Sequence, residues 1–139
     1  MKIEEIQFQI IKEFAPLEEW FEKYEKLIDL GKKLPVMDEE YKTEANLMSG
    51  CQSSVWITSR LENGRVIFQA DSDALIIRGI IATLLKVVNN QPPEDISSMD
   101  LYFLDTIGLS SNLSPSRANG LASLVQYIKD CAKEYLYER

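Results

Sequence analysis

Apolar residues recur at helical spacing in the first third of the chain, which predicts two amphipathic helices. The first covers residues 3–14. The second is predicted to begin at Pro16, which suits a first helical turn, and to end at Gly31 as its C-cap. The polar residues 32–46 show no period and contain a proline, so they predict a surface connection.

The period changes to two after Ser54, which predicts a β-hairpin. Asn63 and Gly64 are typical of a two-residue type I′ turn, and the apolar positions match when residues are paired outward from it. The same register places Ser54 opposite Asp73. It therefore brings the preceding residues, including Cys51, close to the end of the second strand.

A third helix is predicted over residues 74–89, with Ser72 or Asp73 as its N-cap. Its sequence is apolar around most of the circumference, which indicates a buried position at the centre of the fold. Gly79 in its interior indicates either a close crossing of two backbones or a tolerated glycine without a role. Short helical turns are predicted over residues 94–107.

The last helix is predicted to start with Ser114 as N-cap and Pro115 at the first helical position. Arg117 lies near the apolar side, where a positive charge needs a partner; an ion pair with a carboxylate elsewhere and a functional role both remain open. Cys131 is interpreted as a small packing residue on the flank of the apolar stripe. The predicted buried face comprises Ala118, Leu121, Ala122, Val125, Ile128, Ala132 and Tyr135.

Composition narrows the classes of function. The chain has 139 residues, 45% of them hydrophobic, which fits one globular domain. Its net charge of −7 and lack of a basic run argue against nucleic-acid binding. No secretory leader and no apolar run of the ~18 residues needed to span a bilayer are present, so we expect a cytoplasmic protein with no membrane partner.

Thiols stay reduced in that compartment, so Cys51 and Cys131 are not expected to form a disulfide. Histidine is absent, which removes Cys/His catalytic pairs and histidine metal ligands. Two interpretations of Cys51 remain, an inert thiol and a thiol that exchanges with a partner. The small neighbours and the following helix N-terminus favour a reactive thiolate, whereas Asp71 and Asp73 would raise its pKa.

Several motifs occur in order along the chain. They are Gly50-Cys51-Gln52-Ser53 before Val55-Trp56, Asp71-Ser72-Asp73-Ala74 before Gly79, and Leu113-Ser114-Pro115-Ser116-Arg117 before Gly120-Leu121, together with Trp20, Tyr24, Leu30-Gly31 and Leu34-Pro35. As a set they resemble the SufE sulfur-acceptor proteins of iron–sulfur cluster assembly. The resemblance implies a single SufE-like domain over residues 1–139. It also implies an α+β fold, in which helices pack around a small antiparallel sheet as in IscU-type scaffold proteins.

The resemblance further implies a function. Cys51 would take persulfide sulfur from a pyridoxal-phosphate-dependent cysteine desulfurase of the SufS type, stimulate that enzyme, and pass the sulfur to a scaffold complex of the SufBCD type. The chain would need no cofactor or metal of its own, would have no self-sufficient catalytic site, and would be a monomer or homodimer. Gly50, Gln52, Ser53, Asp73 and Arg117 are the candidates for holding the Cys51 loop or docking a partner.

Three alternatives remain open. A paralogous acceptor would serve a different desulfurase and sulfur pathway. An IscU-type cluster scaffold would need about three or four ligands in one place, whereas this sequence offers one nearby cysteine and no histidine. A noncatalytic interaction module would carry Cys51 incidentally.

Overall fold

The structure is a computed structural model that describes residues 1–48 and 53–137. It has the predicted α+β architecture, in which helices surround an antiparallel strand pair. Two short 3₁₀ turns precede the strands, at Glu39–Tyr41 and Glu44–Asn46. The main elements, in chain order, are α1 (Ile3–Phe14), α2 (Trp20–Lys33), β1 (Val55–Glu62), β2 (Arg65–Ser72), α3 (Leu75–Val88), α4 (Pro93–Ser97), α5 (Phe103–Thr106), α6 (Leu109–Asn112) and α7 (Pro115–Tyr137).

The hairpin has the predicted turn and register. Asn63 and Gly64 have φ angles of 54° and 78°, as a type I′ turn requires. Glu62 pairs with Arg65, and the register continues without a bulge to the far end of both strands. The pattern of alternating residues therefore determined which side chains of β1 and β2 face the core.

Helix α3 lies at the centre of the fold, as predicted, and packs against α1, α2 and β2. Leu84 on α3 and Leu27 on α2 are completely buried, and Phe68 of β2 is nearly so. Each such side chain contributes roughly 1.5–3 kcal/mol through its removal from water. None of the helices in residues 1–48 and 53–137 combines the length and hydrophobicity that crossing a bilayer requires.

The predicted bounds of α2 were wrong at both ends. The helix starts at Trp20, because Glu19 and Glu22 form a capping box in which the Glu19 N–H donates to the Glu22 carboxylate at 3.2 Å. It continues past Gly31 to Lys33, so Gly31 is not a C-cap. A side chain at Gly31 would meet the carbonyl oxygen of Leu75 at 2.6 Å, which explains the glycine by close packing.

Gly79 of α3 occupies the facing position, and a Cβ atom there would overlap the carbonyl group of Leu27. Of the two interpretations left open for Gly79, the close crossing is therefore the correct one, with Gly31 as its counterpart on α2. Two helix backbones approach each other closely at this crossing because neither glycine carries a side chain.

The start of α3 also differs from the prediction. Its N-cap is Ala74, not Ser72 or Asp73, and no side chain caps it. Both predicted caps have other partners: the Ser72 hydroxyl accepts from the Ala74 N–H at 3.2 Å, and the Asp73 carboxylate accepts from the Ser54 N–H. The strand consequently reaches Ser72, and the helix begins after a short turn.

Helix α7 begins as predicted, with the Ser114 hydroxyl accepting from the Arg117 N–H at 3.3 Å. The predicted face is confirmed in part: Ile128 and Ala132 are buried, and Leu121, Val125 and Tyr135 are partly buried against the core. The helix packs against α4, and Leu124, which the predicted face did not include, is also buried. The buried residues are Gly120, Leu124, Ile128, Cys131 and Ala132.

Candidate functional site

The centre of the predicted site, Gly50, Cys51 and Gln52, lies outside the described residues. The structure describes the residues that flank it. On one side the Met48 N–H donates to the Val55 carbonyl at 2.8 Å, and Leu47 forms an antiparallel bridge with Trp56. The chain that enters the cysteine motif is thus held against β1.

The chain that leaves the motif is held at the same end of the hairpin. The Ser54 N–H donates to the Asp73 carboxylate at 3.1 Å, and the Asp73 N–H donates back to the Ser54 carbonyl at 3.4 Å. This reciprocal pair confirms the predicted juxtaposition of Ser54 and Asp73. Both flanks of the cysteine motif are therefore fixed to one region, where β1 begins and β2 ends.

A small cavity of about 30 Å³ adjoins this region. Ser53 and Arg117, both predicted site residues, line it from different ends of the sequence. The space is comparable to the volume of one water molecule. The remaining lining residues are Val55, Ile77, Ile80, Gly120, Leu121 and Leu124.

Arg117, which lines this cavity, has a buried side-chain donor. Its Nε atom is buried and has no hydrogen-bond partner within residues 1–48 and 53–137. No carboxylate in those ranges forms an ion pair with Arg117, so the ion-pair interpretation is not supported there. A buried donor without a partner costs roughly 1–3 kcal/mol. The position therefore suits an anionic or polar group.

Asp71 anchors a second network next to the site. Its side chain is 1% exposed and forms an ion pair with Arg78. The carboxylate also accepts from the backbone N–H groups of Met37, at 3.1 Å, and Ser72, at 2.7 Å. The ammonium group of Lys42 lies 3.5 Å from a carboxylate oxygen of Asp71 and also lies over the Trp56 ring, in a cation–π contact. These contacts join residues 37–42 to the hairpin.

Electrostatics give Asp71 and Asp73 different roles, which the sequence did not distinguish. Burial alone raises the pKa of Asp71, but the hydrogen bonds from Met37, Ser72 and Arg78 together hold that pKa below its ordinary value. The Asp71 carboxylate forms ion pairs with Arg78 and Lys42. Asp73 is exposed, and its carboxylate accepts from the Ser54 N–H beside the cysteine motif. Sequence reasoning missed the role of Arg78. Its position in an otherwise apolar helix could have indicated it, since a cation there requires an acidic partner.

Comparison with known proteins identifies the family of the chain. The model of the SufE family, described as an Fe-S metabolism associated domain, matches residues 8–132. The chain belongs to the SufE family. The predicted resemblance is thereby confirmed.

Relatives agree with this assignment. Uncharacterized SufE-like proteins of Rhizobium etli and Rhizobium meliloti are each 40% identical over 130 residues; the matches cover 90% of this chain and 88% and 93% of those proteins. An uncharacterized SufE-like protein of Synechocystis is 38% identical, covering 87% of this chain and 76% of its own. A hypothetical protein from Thermus thermophilus has a solution structure with a TM-score of 0.77 and 18% identity, covering 95% of this chain and 96% of its own, which supports the fold.

The depressed pKa of Asp71 predicts a dependence of stability on pH. Above the ordinary value of 3.8 the network contributes fully, and its contribution is lost as the pH falls through the lower folded-state pKa. Replacing Asp71 by Asn is expected to destabilise the fold by about 3 kcal/mol at neutral pH, because Arg78 loses its buried partner. Urea unfolding from neutral pH to about pH 3 should show the two proteins converging in acid. Glu18→Gln, at an exposed carboxylate, serves as the control; an unchanged difference across this range would contradict the assignment.

Cys131 has the environment of a packing residue, as predicted. It is buried, and burial raises the pKa of its thiol, although hydrogen bonds with Ser59 and Tyr127 act in the opposite direction. In a Cys51→Ser background, iodoacetamide at mildly alkaline pH is expected to modify Cys131 at least about tenfold more slowly than in the urea-unfolded chain. Intact mass spectrometry measures this ratio, and equal rates would show that the thiol is accessible.

Proposed function

We propose that this protein is a sulfur acceptor, which takes persulfide sulfur from a pyridoxal-phosphate-dependent cysteine desulfurase onto Cys51 and delivers it to an iron–sulfur scaffold complex. Membership of the SufE family supports the proposal. The single structural observation that carries it is that Ser53 and Arg117 line one cavity beside the fixed flanks of the cysteine motif.

The proposed chemistry is thiol–persulfide exchange. The Cys51 thiolate attacks the terminal sulfur of the desulfurase persulfide, a new S–S bond forms, and the original S–S bond breaks. The electron pair of the broken bond remains on the desulfurase cysteine, which leaves as a thiolate. The sulfur atom moves without net oxidation or reduction, and the same exchange run toward a scaffold cysteine completes delivery.

The candidate residues have distinct proposed roles. The Arg117 guanidinium stabilises negative charge on sulfur, because its buried Nε–H has no partner among the described residues. Asp73 is a positioning residue, which holds the chain after the motif through Ser54. Gly50, Gln52 and Ser53 are the residues proposed to present the thiol to partners.

Arg117 offers a test that separates chemistry from folding. Arg117→Met is expected to lower kcat/KM for sulfur acceptance about tenfold, which corresponds to about 1.4 kcal/mol and to the loss of one charged hydrogen bond. The free energy of unfolding should not fall by more than about 1 kcal/mol, because no described ion pair is broken. Arg117→Lys should restore part of the activity. Equal loss of activity and stability would assign Arg117 a structural role instead.

Asp73 is tested by the matched pair Asp73→Ala and Asp73→Asn. Alanine removes the acceptor for the Ser54 N–H, so the exchange of that amide hydrogen with solvent should accelerate about fivefold or more, whereas asparagine should preserve much of the protection. Sulfur acceptance should follow the same order. If both variants accept sulfur at the wild-type rate, Asp73 does not position the motif.

The activity itself is tested by adding the protein to a cysteine desulfurase of the SufS type with cysteine as substrate. The proposal predicts faster release of alanine and one persulfide per chain, from a single domain that acts as a monomer or homodimer in the cytoplasm. Stimulation of a different desulfurase alone would favour the paralogous acceptor. Stoichiometric binding of iron by the purified protein would favour a cluster scaffold and overturn the proposal.

A further inference from the structure

An open groove lies away from the cysteine motif, between α1, the end of α2, β2 and α3. Its volume is about 590 Å³, and Ser53, Asp73 and Arg117 are not among its lining residues. The surface is largely apolar, which suits a ligand with apolar side chains. The lining includes Ile10, Phe14, Leu34, Val36, Phe68 and Ala82.

One wall of the groove is the outer edge of β2, whose first positions already have partners. The N–H of Val66 donates to the Gln91 carbonyl at 2.9 Å, and its C=O accepts from the Asn90 N–H at 2.9 Å. At Phe68 the partner is the Asn89 side chain. The Phe68 N–H donates to the Asn89 amide oxygen at 2.7 Å, and the Asn89 amide N–H donates to the Phe68 carbonyl at 3.2 Å. The Asn89 amide thus imitates the peptide group of an adjacent strand.

Ala70 is the next position in this row. In an antiparallel pair, every second residue directs its N–H and C=O away from the partner strand. In this register Ala70 does so, as do Val66 and Phe68. No residue in the described ranges bonds either group, although Ala70 is only 4% exposed and lines the groove. A backbone donor and acceptor that lack a partner at the wall of an apolar groove are a template for an additional strand.

The charges at the rim indicate the kind of segment that fits. Lys33 and Lys86 are exposed lining residues and form no ion pair with a described carboxylate, whereas Glu13 is the acidic residue of the lining. The rim therefore has a net positive charge on a chain whose overall charge is −7. Such a local reversal attracts an acidic ligand and disfavours a second copy of this chain.

We infer that this groove binds an extended, apolar segment of a partner protein that carries an acidic side chain. The segment adds as a short strand at Ala70, where its backbone bonds the N–H and C=O that have no partner among the described residues, while its apolar side chains enter the groove. Its carboxylate lies near Lys33 or Lys86. This surface is separate from the cysteine motif, so the inference does not depend on sulfur transfer.

The test starts with selection of short random peptides displayed on phage against the full-length wild-type protein. Enriched peptides are expected to alternate apolar residues and to contain Asp or Glu. Binding of the corresponding synthetic peptides should weaken at least about tenfold in Lys33→Glu/Lys86→Glu and in Ala82→Trp, which fills the groove. The charge-matched control, Lys32→Glu/Lys133→Glu, should bind as wild type, and thermal unfolding checks that each variant folds.

Hydrogen exchange distinguishes strand addition from simple apolar binding. Bound peptide should slow exchange of the Ala70 amide at least about tenfold, with smaller changes at Val66 and Phe68, whose amides are already bonded. The inference is overturned if no peptide is enriched, if binding survives both groove variants, or if bound peptide leaves the Ala70 amide unprotected. If laurate binds in the groove and leaves Ala70 unprotected, the groove is a fatty-acid site and the inference is overturned. It is equally overturned if the protein forms a dimer that Ala82→Trp dissociates, because the groove then binds a second copy.

Discussion

Cys51→Ser is expected to abolish sulfur acceptance, with a loss of about 100-fold or more in persulfide formed on the protein. The exchange requires a thiolate nucleophile, and a serine hydroxyl at neutral pH neither attacks sulfur at a useful rate nor holds a persulfide. Stimulation of desulfurase turnover should disappear with it. The measurements are the rate of alanine release and the amount of protein-bound sulfane sulfur, each with wild-type protein and variant at equal concentrations.

Cys131→Ala is the matched control, because it removes the other thiol of the chain from a buried site on α7. It should accept sulfur as wild type does, although the lost packing lowers stability by about 1 kcal/mol. Undiminished stimulation by Cys51→Ser would support an interaction module with an incidental cysteine. If Cys131→Ala folds normally but no longer accepts sulfur, Cys131 is required for acceptance, and the account is contradicted.

Gly79→Ala is expected to destabilise the fold by about 3 kcal/mol or more. In an ordinary helix interior this change stabilises by about 1 kcal/mol, so the expected sign is reversed. The reason is steric: the added Cβ overlaps the carbonyl group of Leu27, and backbone at a helix crossing cannot rotate aside as a side chain can. Urea unfolding monitored by circular dichroism gives the free energy of unfolding.

Asn119→Ala, at an exposed position of α7, provides a control for helix propensity and should be neutral or slightly stabilising. Gly31→Ala should resemble Gly79→Ala, since its Cβ would meet Leu75 and Gly79 across the same crossing. A stabilising Gly79→Ala would show that α2 and α3 separate at little cost and that the close crossing is not required.

The elements defined by local patterns could be predicted from the sequence. Asn63-Gly64 fixed the turn, and counting outward from it gave the pairing of Ser54 with Asp73, which the structure shows as two hydrogen bonds. The Ser114-Pro115 cap and the buried character of α3 were likewise local properties. Each depends on residues within a few positions of one another or on a strict two-residue register.

Features that depend on distant parts of the chain were missed. Gly31 was interpreted as a C-cap because its partner, Gly79, lies 79 − 31 = 48 positions away and only the folded helices bring the two together. The Asp71–Arg78 pair also draws in Met37 and Lys42, which the sequence placed in a featureless connection. The predicted face of α7 omitted the buried Leu124, because periodicity alone cannot choose between two apolar sides of a helix.

The most direct measurement of the central claim is the intact mass of the protein after incubation with a cysteine desulfurase and cysteine, followed by peptide mapping. The account predicts the addition of one sulfur atom, located on the peptide that contains Cys51 and removable by a thiol reductant. It also predicts no addition when the desulfurase is omitted. An unchanged mass under conditions in which the desulfurase turns over, or sulfur mapped to Cys131 instead, would contradict it.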